Sequence, residues 1–206
     1  MRLIFEGLDF TGKSTIINLL SSHLNDIQIE YSRYAFPRDM DEGVQKLLFG
    51  KNKINPFHPE YLILALYYKM IEMDYDNTTI QLIDRSFPST FAYNAESPSE
   101  REKLKNFFLS LYKVNPIPFE FDYLFYLEIE EDTLKQRYFE REDIVDDYRQ
   151  DIDLKVVKDY TLFSHRYQLT LDLYREIFGY ERIITINTST MTKEEVLEYI
   201  LKKIGL

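Results

Sequence analysis

Leu3-Ile4-Phe5-Glu6-Gly7-Leu8-Asp9-Phe10-Thr11-Gly12-Lys13-Ser14-Thr15-Ile16-Ile17 is the stretch that decides the fold of this 206-residue chain. The apolar run at Leu3–Phe5 reads as a buried strand, and Ile16, Ile17, Leu19 and Leu20 fall on one face of a helix. Between them, Gly7 to Ser14 fits G-x-x-x-x-G-K-[ST] at every fixed position. The glycines let backbone N–H groups turn inward around a phosphate, at the positive end of the following helix. Lys13 is expected to reach the β- and γ-phosphates of a nucleoside triphosphate, and the Ser14 hydroxyl to ligate Mg²⁺. The set expected to bind the triphosphate is Gly7, Thr11, Gly12, Lys13, Ser14 and Thr15.

Outward from this loop, β-branched or aromatic runs alternate with amphipathic stretches, the pattern of an α/β fold with a parallel sheet. Strands are predicted at Leu3–Glu6, Ile27–Tyr34, Thr79–Asp84, Tyr123–Ile129 and Arg182–Asn187. Helices are predicted at Ser14–Asn25, Asp41–Phe49, Pro59–Met73, Ser89–Ala95, Ser99–Val114, Glu131–Arg141, Leu154–Phe178 and Lys193–Lys203. Asn115-Pro116-Ile117-Pro118 breaks the chain before the fourth strand, and Thr192 with Glu195 forms a capping box. No repeat or linker divides the chain, so a single domain over 1–206 is expected. The segment from Arg137 to Asp153 is almost all charge plus Tyr and by itself reads as a solvated helix end and loop.

Composition narrows the function classes. A formal net charge of −10 makes the chain a poor non-specific binder of nucleic acid, because phosphates must be met by clustered Lys and Arg, so no nucleic-acid partner is expected. Phosphate handling must then rest on a few cations in a cleft. Cysteine is absent, which removes disulfides and thiolate metal sites, and the three histidines lie far apart. No apolar run reaches the roughly 18 residues of a membrane span, so the expectation is no membrane partner and a cytoplasmic location.

Three segments carry a resemblance to a known family. Phe5-Glu6-Gly7-Leu8-Asp9 running into Lys13, Phe36-Pro37-Arg38, and Asp84-Arg85-Ser86-Phe87-Pro88-Ser89-Thr90-Phe91-Ala92-Tyr93 resemble the motifs of thymidylate kinases. The similarity continues more weakly through Asp122–Leu127 to the last helix. It implies a P-loop NTPase fold with a five-stranded parallel sheet, often paired into a homodimer. It also implies ATP as donor, with Mg²⁺ held by Ser14 and Asp84, and a deoxynucleoside monophosphate, dTMP, as acceptor. The acceptor set is Asp9, Phe36, Arg38, Arg85, Ser89, Thr90 and Tyr93, with Asp9 near the sugar 3′-hydroxyl and Tyr93 blocking a ribose 2′-hydroxyl. The residues agree in kind: Arg38 and Arg85 both follow strands on the rim of the phosphate loop, where two guanidiniums can clamp a second phosphate.

Position 10 matters for mechanism. Some thymidylate kinases place an Arg there, and others supply the cation from a basic lid; this chain has Phe10. Arg137 and Arg141 lie four apart on one helix face, so the segment 137–153 is expected to be a mobile lid whose arginines act on the transferring group, with Arg149 a further candidate. The catalytic set is Lys13, Asp9, Arg137 and Arg141. Ser86 stands where the family has Tyr or His, and Tyr61–Lys69 lacks the family's base-contacting Arg, which leaves the base open among thymine, another pyrimidine and a modified base. Two alternatives remain: a deoxynucleoside kinase, in which a carboxylate near the second strand would activate a 5′-hydroxyl, and a catalytically silent nucleotide-binding protein.

Overall fold

The computed structural model describes residues 1–24, 29–33, 59–73, 79–140 and 147–206. Five strands, β1 (Arg2–Glu6), β2 (Ile29–Arg33), β3 (Ile80–Asp84), β4 (Tyr123–Glu128) and β5 (Ile183–Asn187), form one sheet in the order β2-β3-β1-β4-β5. Every pairing is parallel, with Phe5 opposite Asp84 on one side and Phe125 on the other. β1 and β3 are buried along their whole length, as expected of parallel strands covered on both faces.

Alternation along β1 sets the two layers. Leu3 and Phe5 face a layer built with Ile16, Ile17 and Leu20 of α1 (Lys13–His23) and Val196 and Ile200 of α8 (Lys193–Ile204). Ile4 faces a larger, aromatic-rich layer. That layer is supplied by α2 (Pro59–Glu72), α3 (Phe87–Asn94), α4 (Pro98–Val114) and α7 (Tyr160–Phe178), with α5 (Glu131–Phe139) and α6 (Asp147–Lys158) beside it. By the same alternation Glu6 shares a face with Ile4, which puts a carboxylate into the aromatic layer.

The predicted strands are all present, with ends within one residue wherever both ends are described. The predicted helix Asp41–Phe49 lies outside the described residues. The capping box at Thr192 forms as expected, and Ser97 with Glu100 makes a second one at the start of α4. One helix differs. In place of a single Leu154–Phe178 helix, α6 begins at Asp147 and ends at Lys158, and α7 starts two residues later. The break at Asp159 lets Val156 and Val157 on one side and Phe163 on the other reach the same core, while the Tyr160 hydroxyl donates to the Ile129 carbonyl at 2.7 Å. Neither Gly nor Pro marks this break. The charged segment 137–153 is accordingly helical at both described ends, residues 137–139 in α5 and 147–153 in α6.

Phe108 is the hub of the aromatic layer. It is fully buried and meets Phe119, Tyr174, Phe87 and Phe91 at ring distances of 4.7, 5.6, 5.7 and 5.9 Å. Phe108→Ala is expected to cost about 3–5 kcal/mol in denaturant unfolding, through lost contacts and a residual cavity. A loss under about 1 kcal/mol would show that this layer collapses around the gap.

Candidate functional site

The loop from Gly7 to Gly12 leaves the carboxyl end of the central strand, where the strand order turns from β3 to β4. Ligands of parallel α/β sheets bind at such a point. Gly7 passes so close to the Leu127 carbonyl of β4 that a Cβ would collide with it, and its φ is 142°. Gly12 caps α1 in the left-handed region at φ 88°. The Thr11 hydroxyl donates to the Leu8 carbonyl at 2.9 Å and braces the turn. The Lys13 ammonium folds back onto this loop, donating to the Gly7 and Leu8 carbonyls at 3.1 and 2.7 Å and to the Thr11 hydroxyl at 3.2 Å. Burial pushes Lys13 down to about 7; Arg85 adds to that, and Asp9, Asp84 and Glu6 oppose it.

At the first turn of α1, the Ser14 hydroxyl donates to Asp84 Oδ2 at 3.1 Å, joining the helix to the end of β3. Thr15 beside it is exposed. A hydroxyl and a buried carboxylate form a hard-oxygen donor pair suited to Mg²⁺, which is ordinarily held by one or two carboxylates together with waters and substrate phosphates. Among the described residues, no group of three or more His, Cys, Asp or Glu could make an all-protein metal cage. By the chemistry of their donors, Ser14 and Asp84 fit a metal that arrives with a nucleotide.

Next to the loop, Arg85 stands in the turn from β3 to α3 with φ 70° and a side chain only 1% exposed. Its guanidinium donates to the Gly7 carbonyl at 2.8 Å, the Tyr167 hydroxyl at 2.8 Å, Ser89 Oγ at 3.1 Å and Asp9 Oδ1 at 2.7 Å. Tyr93 donates to the other Asp9 oxygen at 2.9 Å, and its ring lies 5.1 Å beneath the guanidinium. Burial would raise Asp9, yet the Arg85 and Lys13 charges and the Tyr93 hydrogen bond hold it well below the usual carboxylate range. Glu6 closes the network from below. It accepts from the Ser86 N–H and the Ser89 hydroxyl at 2.6 Å each, and from Tyr167 at 3.3 Å. For Glu6 burial wins, raising it above the ordinary value against the pull of Arg85, Ser89 and Ser86.

The site thus brings together Gly7, Asp9, Thr11, Gly12, Lys13, Ser14, Asp84, Arg85, Ser89 and Tyr93 from the expected set. Thr90 lies one turn from Ser86 on α3, and both hydroxyls are buried with no hydrogen-bond partner among the described residues. Phe36, Arg38 and Arg141 lie outside the described residues. Arg85 was expected as an open clamp on the rim; it is instead buried and committed to Asp9. Arg137 was expected in a mobile lid. It donates from Nη1 to the Phe10 carbonyl at 2.9 Å and from Nη2 to the Thr188 carbonyl at 2.7 Å. Two members escaped the sequence reading. Glu6 had a usable signal, a charge inside an otherwise apolar strand; Tyr167 had none, being one of many aromatics at helical spacing.

A family model described as thymidylate kinase matches residues 5–200. A probable thymidylate kinase of Methanobrevibacter smithii is 33% identical over 105 residues, covering 48% of this chain and 54% of that protein. A thymidylate kinase of Chlorobium limicola is 28% identical over 149 residues, covering 68% of this chain and 65% of the other. The matches thus span between about half and two thirds of these relatives' length. Among solved structures, thymidylate kinase from Candida albicans superposes with a TM-score of 0.66 at 18% identity, over 99% of this chain and 90% of that one. Deoxyadenosine kinase from M. mycoides gives 0.62 at 14%, over the full length of both. At those identities the likeness is one of fold.

Lys13 sets a pH signature. With a pKa of about 7 among these loop partners, it is mostly neutral at pH 8. A triphosphate beside it favours the charged form, so binding at pH 8 takes up on the order of one proton, and uptake fades as pH falls below that value. Calorimetry of ATP binding in buffers of different ionisation enthalpy reads this directly. Lys13→Met is expected to abolish the uptake; a buffer-independent enthalpy for the unmodified protein would contradict the assignment.

Proposed function

This chain belongs to the thymidylate kinase family, and on that premise we propose that it transfers the γ-phosphoryl group of ATP to the phosphate of a deoxynucleoside monophosphate, dTMP foremost. The observation that carries the proposal is the shared edge of two anion sites. Arg85 hydrogen-bonds the Gly7 carbonyl of the phosphate loop while pairing with Asp9, so a second cation stands beside Lys13, and to hold an acceptor phosphate it would exchange part of this network as Lys13 exchanges its loop carbonyls.

In this reading Lys13 exchanges the Gly7 and Leu8 carbonyls for the β- and γ-phosphate oxygens. Ser14 and Asp84 would hold Mg²⁺, which when bound neutralises charge on the β- and γ-oxygens. An acceptor phosphate oxygen forms the new P–O bond as the bond between the γ-phosphorus and the bridging oxygen breaks, and ADP departs with that electron pair. The attacking oxygen is already anionic, so positioning outweighs proton removal. Asp9, kept ionised by Arg85 and Lys13, offers an acceptor oxygen to a sugar hydroxyl, and Tyr93 packs beside it. Thr90, whose buried hydroxyl has no hydrogen-bond partner among the described residues, would meet a polar edge of the acceptor only if the site opens toward it. Cationic help for the transferring group beyond Lys13 is assigned to Arg141, on the sequence spacing alone. A second reading, phosphorylation of a deoxynucleoside 5′-hydroxyl, draws support from Ser86, which stands where thymidylate kinases have Tyr or His.

Steady-state kinetics test the proposal. Lys13→Ala is expected to abolish transfer in a protein that still folds, and unchanged turnover would refute the phosphate-loop role. Arg85→Lys keeps the charge but loses the planar fork. It is expected to raise the KM for the monophosphate roughly tenfold or more, with a much smaller effect on ATP. Arg38→Ala is expected to act in the same direction. If neither variant disturbed acceptor binding while a deoxynucleoside were phosphorylated, the second reading would replace the first.

A further inference from the structure

Phe10 and Arg85 are the two non-glycine residues with positive φ among those described, and the Arg85 turn is accounted for by its buried network. Phe10, at φ 67°, is the outlier that the proposed chemistry does not use. A bulky residue in the left-handed region is unfavourable by roughly 1–2 kcal/mol, because Cβ crowds the following carbonyl. Such a conformation persists only where the surroundings over-determine it. Here two adjacent residues of α5 do so. Arg137 Nη1 donates to the Phe10 carbonyl at 2.9 Å, and the Tyr138 ring meets the Phe10 ring edge-on at 5.5 Å.

The other end of the Arg137 guanidinium reaches the sheet. Nη2 donates to the Thr188 carbonyl at 2.7 Å, and Nη1 lies 3.4 Å from the Thr188 hydroxyl. Thr188 is itself fixed, its N–H and its hydroxyl both donating to the Glu128 carbonyl at the end of β4, at 2.9 Å each. Among the described residues Arg137 makes no ion pair, and its recorded bonds all go to neutral oxygens. Both terminal nitrogens thus go to backbone carbonyls on two separate segments, which the planar guanidinium bridges.

We propose that Arg137 is a positioning residue for nucleotide binding: it holds the tip of the phosphate loop in its left-handed turn at Phe10 and ties that tip to the turn after β5 at Thr188. The proposal rests on the reading of Gly7–Ser14 as the triphosphate cradle. Asp9 pins one flank of the tip through Arg85 and Tyr93. Arg137 and Tyr138 pin the other through Phe10, so the loop is preformed before ATP arrives. Preorganisation acts on ground and transition states alike, so its loss falls on affinity and leaves the chemical step largely untouched.

The test is a set of variants read by ATP affinity in calorimetry, KM for ATP and kcat. Arg137→Ala is expected to weaken ATP about tenfold, with kcat within about twofold. Arg137→Lys retains the charge but cannot bridge two carbonyls as the planar fork does, so it should behave like Arg137→Ala. In a Phe10→Gly/Arg137→Ala double variant, glycine takes the positive φ without strain, and much of the lost affinity should return. A fall in kcat of about 100-fold with ATP affinity unchanged, restored by Arg137→Lys, would overturn the proposal in favour of a transition-state cation. Equal affinity of the single and double variants would also overturn it. Hydrogen exchange of residues 8–11 without nucleotide separates this proposal from the kinase reading. Faster exchange in Arg137→Ala supports the clamp even if the protein binds no ATP, and unchanged exchange overturns it even if the protein is a kinase.

Discussion

Burying the Arg85 guanidinium beside the Asp9 carboxylate is the constraint around which the active end of this molecule is organised. Taking the guanidinium wholly and the carboxylate partly out of water is costly, and attraction offsets that cost only where the remaining donors are also satisfied. The fold meets the condition with the Gly7 carbonyl, the Ser89 and Tyr167 hydroxyls and both oxygens of Asp9. Those partners come from the loop after β1, from α3 and from α7, so one side chain fixes three segments far apart in sequence. Removing Asp9 would leave the buried guanidinium facing Glu6, and removing Arg85 would leave Asp9 facing Lys13.

Glu6 makes the arrangement possible and also charges it. Two acids and two bases, Glu6, Asp9, Lys13 and Arg85, share a pocket walled by Tyr93, Tyr126, Tyr167 and Tyr174. In such surroundings each charge is felt strongly by the others, which is why Asp9 is held low while burial lowers Lys13 and raises Glu6. Backbone strain gathers here as well. The two non-glycine residues with positive φ among those described, Phe10 and Arg85, flank the same loop, and both are held there by hydrogen bonds to their neighbours. Strain concentrated at a site and pinned by its surroundings marks a preformed binding surface.

Much of this was legible in the chain because the signals are local. The phosphate loop, the apolar strands and the Thr192 capping box depend on short spacings, and each appears where the sequence puts it. What escaped depends on partners distant in sequence. The burial of Arg85 could not be read without knowing that Tyr167, 82 positions away, supplies its acceptor. The division at Asp159 carries no Gly or Pro, because core packing on both sides, rather than turn chemistry, sets it. Arg137 shows the converse limit. Helical spacing grouped it with Arg141 as a lid cation, whereas its position is set by carbonyls of Phe10 and Thr188, 127 and 51 residues away.

The central claim of the proposed function is that the acceptor at this site is already a phosphate. Comparing kcat/KM for dTMP and for thymidine, with ATP and Mg²⁺ in excess, tests it most directly. The account predicts preference for the monophosphate by about 100-fold or more, the scale of losing one charge-assisted phosphate contact. Equal or better turnover of thymidine would contradict it, and would make this site one that activates a neutral hydroxyl.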